Sequence, residues 1–181
     1  LHEIDGSGQA VPVAQRVEYF PVQYIQPLTS VNKRAVGFDL ASEAGRRGAL
    51  EGARDSGKVS MAAPIFLVQL DEAKSSVLIC VPIYARGAVL DSVDARRSRL
   101  TGFASGVYLI DTLFDRAMSG SEEDINRHLF DEALPAGSQW YATRTSSAAS
   151  NWEAVGRRAT LSGIKEGLSG VATVNFAGYT W

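Results

Sequence analysis

The clearest pattern in the chain is a run of alternating and continuous apolar segments between residues 19 and 109. Tyr19-Phe-Pro-Val-Gln-Tyr-Ile-Gln-Pro alternates enough for a short strand, and Pro21 and Pro27 confine it to a sheet edge or to the strand's ends. Val59–Leu70 and Val77–Tyr84 are dense in β-branched and large apolar residues, and the polar Asp71–Ser76 joins them. That predicts an antiparallel hairpin. Leu100–Leu109, with small residues at Gly102, Ala104 and Gly106, predicts a third strand.

Helical signals lie between and after these segments. Thr29–Val36 predicts a helical turn. Ser42 is positioned to cap a helix, Glu43 suits the positive end of its dipole, and Glu43 and Arg47 stand four apart as a supporting pair. Gly57 is a natural stop. Ala49, Leu50 and Ala53 give this helix only a thin apolar face, and Gly45, Gly48 and Gly52 each cost about 1 kcal/mol against Ala. Close packing of this helix on a sheet is therefore expected. Residues 85–99 read as a charged loop, and Asp111 as the cap of a helix ending near Gly120. The N-terminal residues 1–18 are mixed and polar around a turn at Asp5-Gly-Ser-Gly.

Beyond Gly120 the signal weakens. Asp124–Leu134, Ser138–Arg144, Ala159–Leu161 and Val171–Trp181 predict strands, with a Ser-rich loop over 145–151. Short helices followed by antiparallel strands, twice over, predict an α+β chain with two small sheets. The expected units are residues 1–105 and 106–181, although no internal sequence repeat supports a duplication.

Composition narrows the function classes. Of 181 residues, 45% are hydrophobic and 21% charged, which excludes a disordered tail. Lys and Arg number 18 against 20 Asp and Glu, a formal charge of -2, so nucleic-acid binding by bulk positive charge is excluded. One Cys forbids an intrachain disulfide and any multi-Cys zinc site. No apolar run approaches the roughly 18 residues of a membrane-spanning helix. The chain opens on Leu1 and closes on an apolar segment at Trp181, and is read as a piece of a longer protein.

Catalytic and cofactor motifs are weak. Gly52-Ala-Arg-Asp-Ser-Gly-Lys58 matches the first seven positions of a phosphate loop, but Val59 stands where magnesium needs Ser or Thr. The segment also closes a helix instead of opening one. Gly6-Ser-Gly8 lacks the third glycine of a dinucleotide fingerprint. Cys80, inside Val77-Leu-Ile-Cys-Val, reads as a small buried hydrophobe. His128 reads as a partly exposed strand residue. The run Glu122-Glu123-Asp124 reads as a solvated loop without calcium-ligand spacing. No nucleophile, base and orienting group come together, so no enzyme and no cofactor are expected. Asp39 stands apart: it lies between Phe38 and Leu40, just after Gly37, where a carboxylate is costly to bury without partners. It either caps the helix near Ser42 or binds its own backbone in a turn, or it faces a ligand that donates N–H bonds.

Six segments in order then resemble a known family. Glu18-Tyr-Phe-Pro-Val-Gln-Tyr-Ile-Gln-Pro, Asn32 and Ala35-Val-Gly-Phe-Asp-Leu are similar to the start of a CHASE domain. Arg46-Arg-Gly-Ala-Leu-Glu-Gly-Ala-Arg-Asp-Ser-Gly-Lys, Ala63-Pro-Ile-Phe-Leu-Val-Gln, Val81-Pro-Ile-Tyr and Leu100-Thr-Gly-Phe-Ala-Ser-Gly-Val-Tyr keep the family's order and spacing. The resemblance covers residues 10–118. It implies an extracytoplasmic sensor held between two membrane helices of a histidine kinase, nucleotide cyclase, or diguanylate cyclase or phosphodiesterase. It implies a fold of two PAS-like units in tandem after a helical stalk that this chain lacks, and a homodimer in the full-length protein. In plant cytokinin receptors the membrane-distal unit binds an adenine-type hormone, and an Asp accepts hydrogen bonds from the purine edge. Asp39 matches that Asp by its place in Gly-Phe-Asp, and Met61 matches a residue offering backbone groups. Val81 and Gly102 match pocket-lining positions.

Tyr19, Phe38, Met61, Phe66, Leu70 and Val81 are the expected walls, with Asp39 as polar anchor. The chain departs from the plant pattern at Val68-Gln-Leu70, where those receptors place a hydroxyl residue near the hormone's tail. Phe20 and Phe38 are also bulkier than expected beside that ligand. The resemblance thus favours a periplasmic bacterial sensor for a small molecule, acting by a population shift between dimer arrangements. The competing expectation is a ligand-free structural or dimerisation module, and the direction of the Asp39 side chain separates the two.

Overall fold

The computed structural model describes residues 1–67, 75–119, 127–130, 140–144, 173, 175–176 and 179–180. Internal contacts divide the chain into two units, Leu1–Val107 and Tyr108–Trp181. The described elements are α-helices and antiparallel strands, an α+β chain.

The first unit opens with a hairpin absent from the sequence expectations. β1 (His2–Ile4) pairs antiparallel with β2 (Ala10–Pro12). The expected turn at Asp5 joins them: Asp5 Oδ1 accepts from the Ser7 amide and hydroxyl and from the Gln9 amide, at 2.7–2.9 Å. Three-residue strands carry too little alternation to be read from sequence. The predicted strand at Tyr19–Pro27 forms no regular strand. Instead Phe20–Val22 lies as extended chain bonded to residues 37–40, through Leu40 N–H to Phe20 O and Val22 N–H to Phe38 O, both at 3.0 Å. The helical turn is present as a 3-10 helix, Asn32–Ala35, and a second one covers Leu40–Ser42.

α1 (Ala44–Ser56) starts one residue later than Ser42 predicts, because Ser42 belongs to the 3-10 turn. The cap is Glu43, whose two carboxylate oxygens accept from Gly45 N–H at 2.8 Å and Arg46 N–H at 3.0 Å. Those oxygens serve the backbone, not the expected Arg47 pair. Gly57 closes the helix with φ +72 and donates to Ala53 O at 2.9 Å.

The sheet runs β3 (Ser60–Phe66), β4 (Ser75–Tyr84), β5 (Leu100–Leu109) in that order. β3 and β4 are antiparallel, Ser60 facing Cys80 and Ala62 facing Leu78, as the hairpin signal predicts. Between Ala62 and Ile65 the register shifts by one residue. That bulge returns Ile65 to the face already occupied by Ala62, because strand side chains alternate. On that face α1 lays Ala49, Leu50 and Ala53 over Ala62, Ile65, Leu78 and Cys80, with Phe20, Leu40 and Phe103 packed alongside. Leu50 is fully buried, worth about 1.5–3 kcal/mol against an exposed position.

The helix packs against the sheet as expected, through Ala49, Leu50 and Ala53. A methyl group added at Gly48 would meet nothing, one at Gly45 only the capping Glu43, and one at Gly52 would lie 3.6 Å from the Ser60 hydroxyl of β3. Residues 85–99 are not all loop. They hold α2 (Val93–Arg99), capped by the Ser92 hydroxyl, which accepts from Ala95 N–H at 3.1 Å.

In the second unit α3 (Ile110–Met118) packs on the hairpin of β6 (Arg127–Phe130) and β7 (Trp140–Arg144). Asp111 sits inside the first turn, not at the cap, and accepts from its neighbour Thr112. His128 lies on β6, opposite Thr143. The predicted strand at Val171–Trp181 is instead two short ones, β8 (Asn175–Phe176) and β9 (Tyr179–Thr180), paired antiparallel. The expectations for Gly120, 122–124, 145–151 and 159–161 lie outside the described residues.

Candidate functional site

The expected site residues fall into two groups. The first surrounds Asp39. Residues 37–40 run between β1 on one side and Phe20–Val22 on the other, held by His2 N–H to Gly37 O at 3.0 Å and Asp39 N–H to His2 O at 2.9 Å. Gly37 takes φ +83, a conformation that favours glycine, and turns the chain into this slot. Asp39 is fully buried. Its Oδ1 accepts from Phe20 N–H at 2.8 Å and Ala41 N–H at 3.1 Å, capping the 3-10 turn, and its Oδ2 accepts from Arg16 Nη1 at 3.0 Å. Arg16 also binds Glu3 through Nη2. The hydrogen bond to Arg16 holds the Glu3 carboxyl below its ordinary range, and the same contact raises Arg16. Of the two expectations for Asp39, capping is the geometry seen, with an added ion pair.

Phe38 and Tyr19 belong to this group. The Phe38 ring stands 5.9 Å from the His2 ring and 5.3 Å below the Arg46 guanidinium. Burial lowers the pKa of Arg46, opposed by the charge of Glu43. The Tyr19 hydroxyl accepts from Arg16 N–H at 2.8 Å and lies 3.3 Å from Ala14 O.

The second group lies on the sheet face turned away from α1. Ala62, Leu78 and Cys80 point to α1, so Met61, Val77, Ile79 and Val81 point the other way. On β5, Phe103 joins the α1 cluster and the Ser105 hydroxyl lies 3.8 Å from Cys80 Sγ. Gly102, Ala104 and Gly106 therefore occupy the opposite face. Contacts of Thr101 with Ile83 and Ser105 with Cys80 run in opposite directions, the sign of an antiparallel pair. Met61 and Val77 are buried there, while Val81 is 44% and Ile83 47% exposed. The structure thus brings Met61, Val81 and Gly102 onto one surface. It places Asp39, Phe38 and Tyr19 in the N-terminal layer, joined to the α1 side through Phe20 and Leu40. Phe66 pairs with Ser75 at the end of β3, and Leu70 lies outside the described residues.

A family model described as CHASE domain matches residues 3–141. The chain belongs to the CHASE family. The hybrid signal transduction histidine kinase A of Dictyostelium discoideum is 31% identical over 140 residues, which is 72% of this chain and 6% of that protein. CHASE domains are extracytoplasmic sensory domains of membrane-associated signalling proteins such as histidine kinases. Among the described residues of this CHASE domain no helix is long and apolar enough to cross a membrane, and no three His, Cys, Asp or Glu side chains gather as a metal site.

Sequence reasoning missed Arg16, Glu3 and Arg46 in the CHASE domain. Arg16 and Glu3 lie 23 and 36 positions before Asp39, and no local pattern announces a pair over such distances. Arg46 carried a signal: it falls on the stripe 46, 49, 50, 53, 54 that α1 buries, where a basic residue is out of place.

Proposed function

We propose that this CHASE domain binds a small molecule outside the cytoplasm and passes the signal across the membrane to a cytoplasmic kinase or cyclase. The reading assigns residues 1–105 to a membrane-distal PAS-like ligand unit and 106–181 to a membrane-proximal one, in a membrane-anchored, homodimeric, periplasmic receptor. The observation that carries it is the sheet face away from α1. Buried Met61 and Val77 adjoin half-exposed Val81 and Ile83, and Gly102 on the neighbouring β5 has open space where a side chain would stand. An apolar surface of this kind, with few polar groups, suits a small organic ligand. Backbone amides and carbonyls along β3 and β5 supply the polar contacts, as the match of Met61 to a backbone-donating position suggests.

Asp39 enters this reading in one of two ways. Its carboxylate braces the wall formed by Phe38 and Tyr19, or a ligand N–H replaces Arg16 on Oδ2. The second reading of the whole domain, a ligand-free structural or dimerisation module, is favoured by one observation: three donors of the chain's own already hold Asp39.

A thermal-shift screen with purines, amino acids and small acids separates the two readings. A ligand at 100 times its Kd stabilises a fold by about 2.7 kcal/mol. The sensory reading expects at least one compound to raise Tm, and no shift from any class supports the structural module.

A further inference from the structure

Residues 1–16 form an arm that adds nothing to the core. None of them is buried, and none joins the apolar cluster between α1 and the sheet. Within the arm, β1 and β2 pair with each other. The bonds that tie the arm to the rest of the described chain end in two places, at Tyr19 and at residues 37–39. The Tyr19 hydroxyl accepts from Arg16 N–H at 2.8 Å and lies 3.3 Å from Ala14 O. His2 makes two backbone bonds with the slot, to Gly37 O at 3.0 Å and from Asp39 N–H at 2.9 Å. Arg16 adds an ion pair, from Nη1 to Asp39 Oδ2 at 3.0 Å, and its Nη2 holds Glu3 on β1.

We infer that this arm is a detachable strap over Asp39, with Arg16 as its latch. The Asp39 side chain is fully buried, whereas Arg16 keeps 19% of its side chain exposed. Oδ1 is filled by the Phe20 and Ala41 amides, and Oδ2 meets only Arg16 among the described residues. Lifting the arm therefore opens Oδ2 to water or a solute, and leaves the capped 3-10 turn and the core under α1 in place. A segment with few buried apolar contacts opens at less cost than the whole fold. An isolated two-stranded hairpin is marginal in water, so β1 and β2 separate once the arm has lifted. The ion pair sets the balance, because a guanidinium facing a desolvated carboxylate holds more firmly than a surface pair. The strap stands under either reading of Asp39 given above, since it governs access to the carboxylate and not what meets it.

Amide hydrogen exchange and carbodiimide labelling of carboxyl groups, both read by mass spectrometry, test the strap on wild type and Arg16→Gln. Wild-type peptides from residues 2–12 are expected to exchange faster than those of α1 and more slowly than unstructured chain. Arg16→Gln speeds exchange over residues 2–12 at least about tenfold, and leaves α1 and the β3–β4 strands within about twofold of wild type. It also raises labelling of Asp39 at least about tenfold, while labelling of the exposed Asp91 stays the same. Unchanged exchange of the arm, or unchanged labelling of Asp39, in the variant overturns the strap. A wild-type arm that exchanges at the rate of α1, or already at the unstructured rate, overturns it too. So does a variant in which α1 loosens together with the arm.

Discussion

Removing the Asp39 carboxylate takes the acceptor from the Phe20 and Ala41 amides and leaves Arg16 with Glu3 as its remaining ion-pair partner. Breaking a buried ion pair on one side typically costs about 3–5 kcal/mol. Asp39→Ala is therefore expected to lower the urea midpoint sharply, and a variant as stable as wild type contradicts the bracing role. The sequence announced an unusual environment for this carboxylate through its apolar neighbours, but not which donors fill it, since Arg16 is distant in sequence and joins by tertiary folding alone. Cys80 was legible for a simpler reason, its place in a continuous apolar run. It is fully buried, and desolvation raises its thiol above the ordinary range. A thiol reagent at pH 8 is expected to label the native chain far more slowly than a free peptide thiol, and labelling at the free rate contradicts this burial.

At the scale of elements, α1 carries an avoidable weakness. Gly48 is helical with open space around it, so Gly48→Ala should raise stability by up to about 1 kcal/mol, read as a higher Tm. A lower Tm contradicts the open geometry. The ion pairs at the end of α1 add a pH dependence. Hydrogen bonds from Arg97 and Arg54 hold the Asp55 carboxyl well below its ordinary value of 3.8. Its folded pKa is depressed, so its stabilisation is present above that ordinary value and is lost as pH falls through the depressed one. Partial exposure keeps the contribution modest. Urea midpoints measured from pH 6 down to pH 2 should fall less steeply in Asp55→Asn than in wild type, and identical slopes contradict the pairing. The same pairs explain why α2 was missed. Val-Asp-Ala-Arg-Arg-Ser-Arg has no apolar stripe, and its helix is held by the Ser92 cap and by Arg97 on Asp55. The β3–β4 hairpin was legible because its apolar runs and polar turn are local, whereas the Ala62–Ile65 bulge that keeps its face in register was not.

At the scale of the molecule, the order of six short segments was enough to place the chain in its family. The segments are the parts that build the slot around Asp39, α1 and the three strands, so their spacing records the architecture of the first unit. The grouping of the expected site residues was not readable from that order. Strand alternation and the bulge decide that Met61, Val81 and Gly102 share a face, while Asp39, Phe38 and Tyr19 belong to another layer. The direct test of the sensory reading is therefore at Val81, which is exposed enough to be changed without emptying the core. Titration calorimetry is run on wild type and Val81→Arg with any compound that raises Tm in the screen. The account predicts binding to wild type, loss of at least tenfold in the variant, and an unchanged melting temperature without ligand. Equal affinity of the two proteins for every such compound contradicts a ligand site on this face.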